Sequence, residues 1–163
     1  MTNKISGRVH KLGDNINTDL ISPAKYMEKS IEEMAKHVLE GVEPNFYNKI
    51  QEGDIIVAGK NFGSGSSRET APLALKGAGI SLVIANFFAR IFYRNCINIG
   101  LPIISLDDTL LIIDGDELEV DIALGIVKNI TKNEIYHTKS LPQHVIKIIE
   151  AGGLLNHIEN KMN

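Results

Sequence analysis

Residues 59–69 hold the side chains with the clearest potential for chemistry, in the order Gly-Lys-Asn-Phe-Gly-Ser-Gly-Ser-Ser-Arg-Glu. The segment follows a predicted strand and opens a predicted helix. Gly63 and Gly65 allow the backbone to approach a ligand closely. Serine hydroxyls and free N–H groups at the start of a helix favour an anion. Arg68 adds a planar guanidinium that matches a carboxylate or a phosphate, so the segment predicts an anion-binding loop.

Three known glycine-rich motifs approach this spacing and fail. A phosphate-binding P-loop ends in Gly-Lys-Ser/Thr, which is absent here. A dinucleotide-binding fingerprint requires glycine or alanine where Arg68 stands, and a hydrolase nucleophile elbow requires glycine where Glu69 stands. The spacing alone therefore leaves two interpretations open: an anion site, or a capped helix start with a solvated arginine.

Other candidates each have a structural interpretation beside a functional one. Asp19 lies in a polar stretch, residues 13–19, where it orients a base or a partner's cation or makes a local turn. Arg90 and Arg94 share one helix face, which favours a solvated pair over an anion site or a subunit contact. Cys96 is predicted to be a buried core thiol. The five histidines lack metal-ligand spacing and are interpreted as structural or surface residues: His10, His37, His137, His144 and His157.

The elements that must position these residues alternate between strands and helices. Strands are predicted at residues 5–10, 55–58, 80–85 and from 103, and the apolar run 80–85 is typical of a strand buried on both faces. Helices are predicted after Ser30, which forms a capping box with Glu33, and at residues 69–76, 87–95, around 145–149 and at 154–158. Residues 110–137 predict short strands. This alternation indicates an α/β domain.

Composition sets the wider limits. The chain has 163 residues, 44% of them hydrophobic and 23% charged, which favours one domain over residues 1–163. Its net charge is −3 with basic residues scattered, so no nucleic-acid partner is predicted. Without an apolar run of about 18 residues or an apolar signal core, we expect no membrane association and a cytoplasmic location. One cysteine excludes an internal disulfide or an iron–sulfur cluster held by this chain alone.

Three segments together resemble one family. They are G-D-x-x-x-T-D-x-x-x-P from residue 13, G-x-N-F-G-x-G-S-S-R-E from residue 59, and F-A-R-I-F-x-R-N-x-x-N-x-G from residue 88. They resemble the small subunit of 3-isopropylmalate dehydratase, the detached swivelling domain of the aconitase superfamily, over nearly the whole chain. The resemblance implies an aconitase-type swivelling domain, with a compact β core flanked by helices.

The resemblance also implies an activity. The family is a hydro-lyase that interconverts 2-isopropylmalate and 3-isopropylmalate in leucine biosynthesis by removing water and adding it back. A [4Fe–4S] cluster on the large subunit binds the substrate hydroxyl and a carboxylate as a Lewis acid. The expected partners are therefore a cluster-bearing large subunit and a small dicarboxylate substrate, with no cofactor or metal bound by this chain.

Roles carried over from the family fall on four residues. Ser66 is expected to be the general base that removes a proton next to a carboxylate. Because serine is a weak base, it must be stabilised as an alkoxide by N–H groups and positive charge. Arg68 is expected to hold a substrate carboxylate, and Ser67 to donate a hydrogen bond nearby. Asp19 matches an acidic residue that supports a histidine of the large subunit.

The loop after Asp19 is expected to select the substrate. Tyr26 and Met27 are predicted to contact it, and Met27 suits an isopropyl group. Homoaconitase-like members have an arginine where this chain has Glu28, although Lys25 or Lys29 would still supply a cation. Small subunits of homoaconitase and 2,3-dimethylmalate dehydratase remain alternatives within the class. A non-catalytic anion-binding module is the alternative from another class.

Overall fold

The protein is described by a computed structural model over residues 4–163. One seven-stranded sheet runs through it in the order β4-β3-β2-β1-β5-β6-β7. The strands are β1 (Lys4–Lys11), β2 (Ile55–Val57), β3 (Leu82–Ala85), β4 (Ile103–Ser105), β5 (Glu117–Asp121), β6 (Ile126–Asn129) and β7 (Glu134–His137). The helices are α1 (Thr18–Ile21), α2 (Ile31–Lys36), α3 (Thr70–Gly77), α4 (Arg90–Asn98), α5 (Gln143–Glu150) and α6 (Leu154–Met162), with 3₁₀ turns at Ala24–Tyr26, Phe46–Lys49 and Asp107–Leu111.

Strand β1 joins two different halves of the sheet. Its second half pairs in parallel with β2, with Val9 opposite Ile55. Its first half pairs antiparallel with β5, from Lys4 opposite Asp121 onward. Strands β2, β3 and β4 continue the parallel half, whereas β5, β6 and β7 form an antiparallel meander. The carboxyl ends of β1 to β4 therefore lie at one edge, where ligands usually bind in open α/β sheets.

Apolar side chains cover both faces of the parallel half. Successive residues of β2 alternate between two clusters: Ile56 packs with the layer under the first four helices, and Ile55 packs with the opposite layer. Every residue of β3 is buried, which confirms the predicted strand with two buried faces. The α/β fold predicted from the sequence is confirmed. No helix among residues 4–163 has the length and apolarity needed to cross a membrane.

The start of α4 corrects a sequence prediction. Phe87 and Phe88 precede the helix instead of beginning it, and Ala89 at φ −60° and ψ 136° is its N-cap. Backbone pairing overrides the helical spacing, because Phe88 forms an isolated parallel bridge with Phe62. The two rings also meet edge to face, with centroids 6.0 Å apart. Helix α4 is consequently displaced toward the C-terminus of the chain.

Three smaller differences concern helix ends. The polar stretch predicted to be irregular ends in α1, because the Asn17 side chain accepts a hydrogen bond from the Leu20 N–H at 2.8 Å. Only the serine half of the predicted capping box is formed: Ser30 Oγ accepts from the Glu33 N–H at 3.1 Å. The Glu33 carboxylate instead lies 3.4 Å from a nitrogen of His37. Helix α6 extends beyond its predicted end.

Candidate active site at the carboxyl ends of the parallel strands

Three loops meet where β1, β2 and β3 end. The loop after β2 lies between the other two and is hydrogen-bonded to each of them. These bonds run from Asn15 N to Lys60 O (2.8 Å), Gly63 N to Ile16 O (2.7 Å), Thr18 N to Ser64 O (2.8 Å), Phe62 N to Phe87 O (3.2 Å) and Ala89 N to Phe62 O (2.9 Å). The position of residues 59–68 is therefore fixed by backbone contacts on both sides.

Two glycines of this loop stand where a side chain has no room. A Cβ at Gly59 would lie 1.9 Å from the Asp14 carboxylate, which accepts a hydrogen bond from the Lys60 N–H. Gly63 has φ +86°, and a Cβ there would lie 2.2 Å from the Phe92 ring. A side chain at Gly59 would displace the Asp14 carboxylate from the Lys60 N–H, and one at Gly63 would collide with Phe92 on α4 at a backbone φ that favours glycine.

Ser66 and Arg68 contact each other directly. Arg68 Nε donates a hydrogen bond to Ser66 Oγ at 2.8 Å. The Nη2 atom of Arg68 lies 3.7 Å from Asp19 Oδ1, so the guanidinium spans from the serine to the acid. The Arg68 side chain is 16% exposed, whereas that of Asp19 is 68% exposed. The three predicted residues thus form one cluster in which Arg68 is largely shielded and Asp19 faces solvent.

Asp19 also connects this cluster to the next segment. Its Oδ1 accepts a hydrogen bond from the Ala24 N–H at 3.0 Å, at the start of a 3₁₀ turn. The acid therefore makes a local turn, as one of the two sequence interpretations proposed, and also contacts Arg68. Because the carboxylate is otherwise exposed, it stays accessible to a second protein.

A cleft of about 280 Å³ opens between the loop and helix α4. Its lining combines hydroxyls, arginines and the first turn of α4: Thr18, Gly63, Gly65, Ser66, Ser67, Arg68, Ala89, Arg90, Ile91, Phe92 and Asn95. Ala89 has no polar side chain to cap α4, so the positive end of the helix dipole faces this region. Arg90 adds a second guanidinium, and Asn95 donates a long 3.5 Å hydrogen bond to the Ser67 carbonyl. The cleft is suited to a small anion.

Tyr26 and Met27 are not among the residues that line this cleft. The Tyr26 ring stacks on His37 with centroids 3.8 Å apart and an interplanar angle of 9°. Burial opposes ionisation of Glu40, yet hydrogen bonds from His37 and Tyr26 lower the pKa of Glu40 below its usual value. Met27 is 44% exposed. Substrate contact by Tyr26 and Met27 stays a prediction.

Cys96 is buried in α4, which confirms its predicted place in the core. Burial raises the pKa of its thiol well above the usual value, so the reactive thiolate is disfavoured. His10, interpreted as structural, is buried 2.6 Å from Asp54, before β2 and away from the cleft. Within residues 4–163, no group of three or more His, Cys, Asp or Glu side chains is arranged to hold a metal ion.

Sequence reasoning gave no role to two residues of the cleft. Thr18 stands beside Asp19 in the family motif that begins at residue 13, without a predicted role. The structure brings its hydroxyl to 3.4 Å from Ser66 Oγ. Asn95 belongs to the third family motif and to a predicted helix, without a predicted role of its own. Asn95 lies one turn after Ile91, so the two side chains share a face of α4, and both line the cleft opposite the loop.

The fold and the cleft define a domain of the aconitase type. Residues 3–109 match the model of the aconitase C-terminal domain. The structure is similar in fold to aconitase X of Thermococcus kodakaraensis, with a TM-score of 0.52 at 17% identity over 85% of this chain and 92% of that one. The chain therefore belongs to the class of aconitase C-terminal domains.

Relatives with higher sequence identity show which family within this class the chain belongs to. The chain is 55% identical over 159 residues to the 3-isopropylmalate dehydratase small subunit of Clostridium botulinum, covering 96% of this chain and 99% of that protein. It is 52% identical to the isopropylmalate/citramalate isomerase small subunit of Methanocaldococcus jannaschii, over 99% and 98%. A crystal structure of 3-isopropylmalate dehydratase from M. jannaschii matches with a TM-score of 0.93 and 44% identity, over 98% and 95%. The chain belongs to the family of 3-isopropylmalate dehydratase small subunits.

Proposed function

We propose that this chain is the small subunit of a hydro-lyase that interconverts 2-isopropylmalate and 3-isopropylmalate, a reaction of leucine biosynthesis. The observation that carries the proposal is the 2.8 Å hydrogen bond from Arg68 Nε to Ser66 Oγ inside the cleft beside helix α4. A hydroxyl in contact with a guanidinium is the group in this cleft best suited to act as a base. Relatives above 50% identity over nearly the whole chain support the same activity.

Ser66 is the proposed general base. Its oxygen takes the proton from the substrate carbon next to a carboxylate, and it returns a proton when water is added back. The nearby positive charge of Arg68 stabilises the alkoxide relative to the hydroxyl, which is the requirement for a serine to act in this way.

Arg68 and Ser67 are proposed to hold the substrate. The terminal nitrogens of Arg68 are suited to a carboxylate, and the shielding of this side chain strengthens that contact. Ser67 supplies a hydrogen bond at the same end of the cleft. The exposed carboxylate of Asp19 is positioned to support a basic side chain of the partner subunit.

The partner subunit is proposed to supply the rest of the site. A [4Fe–4S] cluster held by that subunit would supply Lewis acidity toward the leaving hydroxyl. Its assignment to the partner is supported by the single cysteine of this chain, Cys96, because clusters of this kind need several thiolates. Phe87 and Ile91 are about half exposed beside the cleft and offer an apolar edge for docking.

The apolar arm of the substrate is proposed to contact Tyr26 and Met27. Both lie in the segment that Asp19 connects to the loop of residues 59–68. Because one relative is named an isopropylmalate/citramalate isomerase subunit, citramalate is the natural second substrate to assay. We further infer that residues 1–163 are one swivelling domain, which the single sheet supports. We also infer that the protein acts in the cytoplasm.

The test is turnover by this chain reconstituted with a cluster-loaded large subunit. Ser66→Ala is expected to reduce kcat by at least about 1,000-fold, because no other group replaces the base. Ser140→Ala, at an exposed serine before α5, is the matched control and is expected to be neutral. Full turnover by Ser66→Ala would disprove the assignment of the base. If no cluster-bearing partner confers activity on the wild-type chain, the proposal fails in favour of a non-catalytic anion-binding module.

A further inference from the structure

We propose that Thr18 is a positioning residue for the reaction: its buried hydroxyl donates a hydrogen bond to Ser66 Oγ and stabilises the alkoxide together with Arg68. This inference rests on the proposed function, since it concerns the same base. It adds a residue for which the motif supplied no role. The two oxygens lie 3.4 Å apart, and Thr18 is 2% exposed.

Backbone hydrogen bonds fix Thr18 against the loop of residues 59–68. Its N–H donates to the Ser64 carbonyl at 2.8 Å, and its own carbonyl accepts from the Ser22 N–H at 2.9 Å. Asn17 caps the same turn of helix. Neither the residue nor the loop can therefore move away without breaking a backbone hydrogen bond.

Gly65 of the loop also packs closely against this hydroxyl. Gly65 has φ +107°, and a Cβ there would come within 3.1 Å of Thr18 Oγ1. A side chain at Gly65 would thus crowd the hydroxyl directly as well as strain the backbone. The absence of a side chain leaves Thr18 Oγ1 facing the next serine in the loop.

The donor arrangement around Ser66 explains why two groups are needed. In residues 4–163, Ser66 Oγ is the one side-chain partner within hydrogen-bond reach of Thr18 Oγ1. Arg68 Nε approaches the same oxygen at 2.8 Å. Catalytic hydrogen bonds are commonly long before the substrate binds and shorten in the complex. With both donors engaged, the serine oxygen has two hydrogen-bond donors where negative charge develops, which is the design of an oxyanion hole.

The test compares two variants of Thr18 with the wild type in the reconstituted complex, with isopropylmalate as substrate. Thr18→Val keeps the shape and removes the hydroxyl, so kcat is expected to fall about 10-fold while KM changes less than about twofold. Thr18→Ser restores the hydroxyl and is expected to recover kcat to within about threefold. With substrate deuterated at the carbon that loses its proton, the isotope effect on kcat is expected to increase in Thr18→Val, because proton removal becomes slower.

Thr109→Val is the matched control, since Thr109 is equally buried and its hydroxyl bonds to Asn86 after β3. It is expected to change stability but neither kcat nor the isotope effect. Wild-type kinetics in Thr18→Val, or a loss of kcat that Thr18→Ser does not recover, would overturn the inference. If Thr18→Val does not assemble, Thr18→Ala takes its place, and failure of both to assemble would show a purely structural role. Ser66→Ala is measured in parallel to separate the two proposals. If Ser66→Ala is inactive and Thr18→Val behaves as the wild type, only the proposal for Thr18 is rejected.

Discussion

At the scale of single residues, Arg68 stands at the centre of the proposed chemistry. Its Nε bonds to Ser66 Oγ, and its terminal nitrogen approaches Asp19. These two contacts fix the plane of the guanidinium and leave one edge for a substrate carboxylate. A lysine ammonium has neither this planarity nor several donors in fixed directions, so charge alone would not replace the arrangement.

Arg68→Lys is therefore expected to be severe although it keeps the charge. The alkoxide loses its Nε donor and the carboxylate loses a two-point contact, so we expect kcat to fall about 100-fold and KM to rise. Steady-state kinetics of the reconstituted complex measure both. Arg94→Lys, on an exposed part of α4, is the control and is expected to behave as the wild type. A kcat within threefold of wild type in Arg68→Lys would show that positive charge is sufficient.

At the scale of elements, the site depends on loop packing that short motifs only partly encode. The glycine–serine loop and its flanking strand and helix were predictable, because apolar runs and glycines mark them locally. The start of α4 was not, since pairing of Phe88 with Phe62 joins residues 26 positions apart in sequence. The approach of Thr18 to Ser66 depends equally on long-range contact. The family resemblance supplied residue roles, and the fold shows how three loops bring them together.

Gly63→Ala tests the packing of this loop on α4. The new Cβ would lie 2.2 Å from the Phe92 ring at a backbone φ of +86°, so both crowding and strain oppose it. We expect the free energy of unfolding to fall by about 2–4 kcal/mol, as measured by urea denaturation of the isolated chain. Gly13→Ala is the control, because nothing lies within 4 Å of its Cβ. Equal stability of the two variants would contradict close packing of Gly63 on Phe92.

At the scale of the whole molecule, the two ends of the parallel strands carry different roles. The carboxyl ends hold the cleft. Before β2, the buried pair of His10 and Asp54 is accompanied by Arg8, whose Nη2 lies 3.6 Å from Asp54. The Asp54 carboxylate is thus held between the His10 ring and the Arg8 guanidinium at this end of the strands. The partner subunit is therefore proposed to dock at the carboxyl ends of these strands, where the cleft lies.

Phe87→Ser tests whether the large subunit docks at this edge. The ring is 51% exposed next to the first turn of α4, whereas the backbone carbonyl of Phe87, which accepts from the Phe62 N–H, is retained in the variant. Loss of a half-buried aromatic contact at an interface is expected to weaken assembly about 10-fold or more. Titration of the large subunit by calorimetry measures the Kd, and kcat at saturating partner is expected to stay near wild type.

Ile135→Ser is the control. It removes a similarly exposed side chain from β7, the outermost strand of the antiparallel half of the sheet, and is expected to leave the Kd unchanged. A larger effect of Ile135→Ser than of Phe87→Ser would place the interface at the meander, where it could not close the cleft.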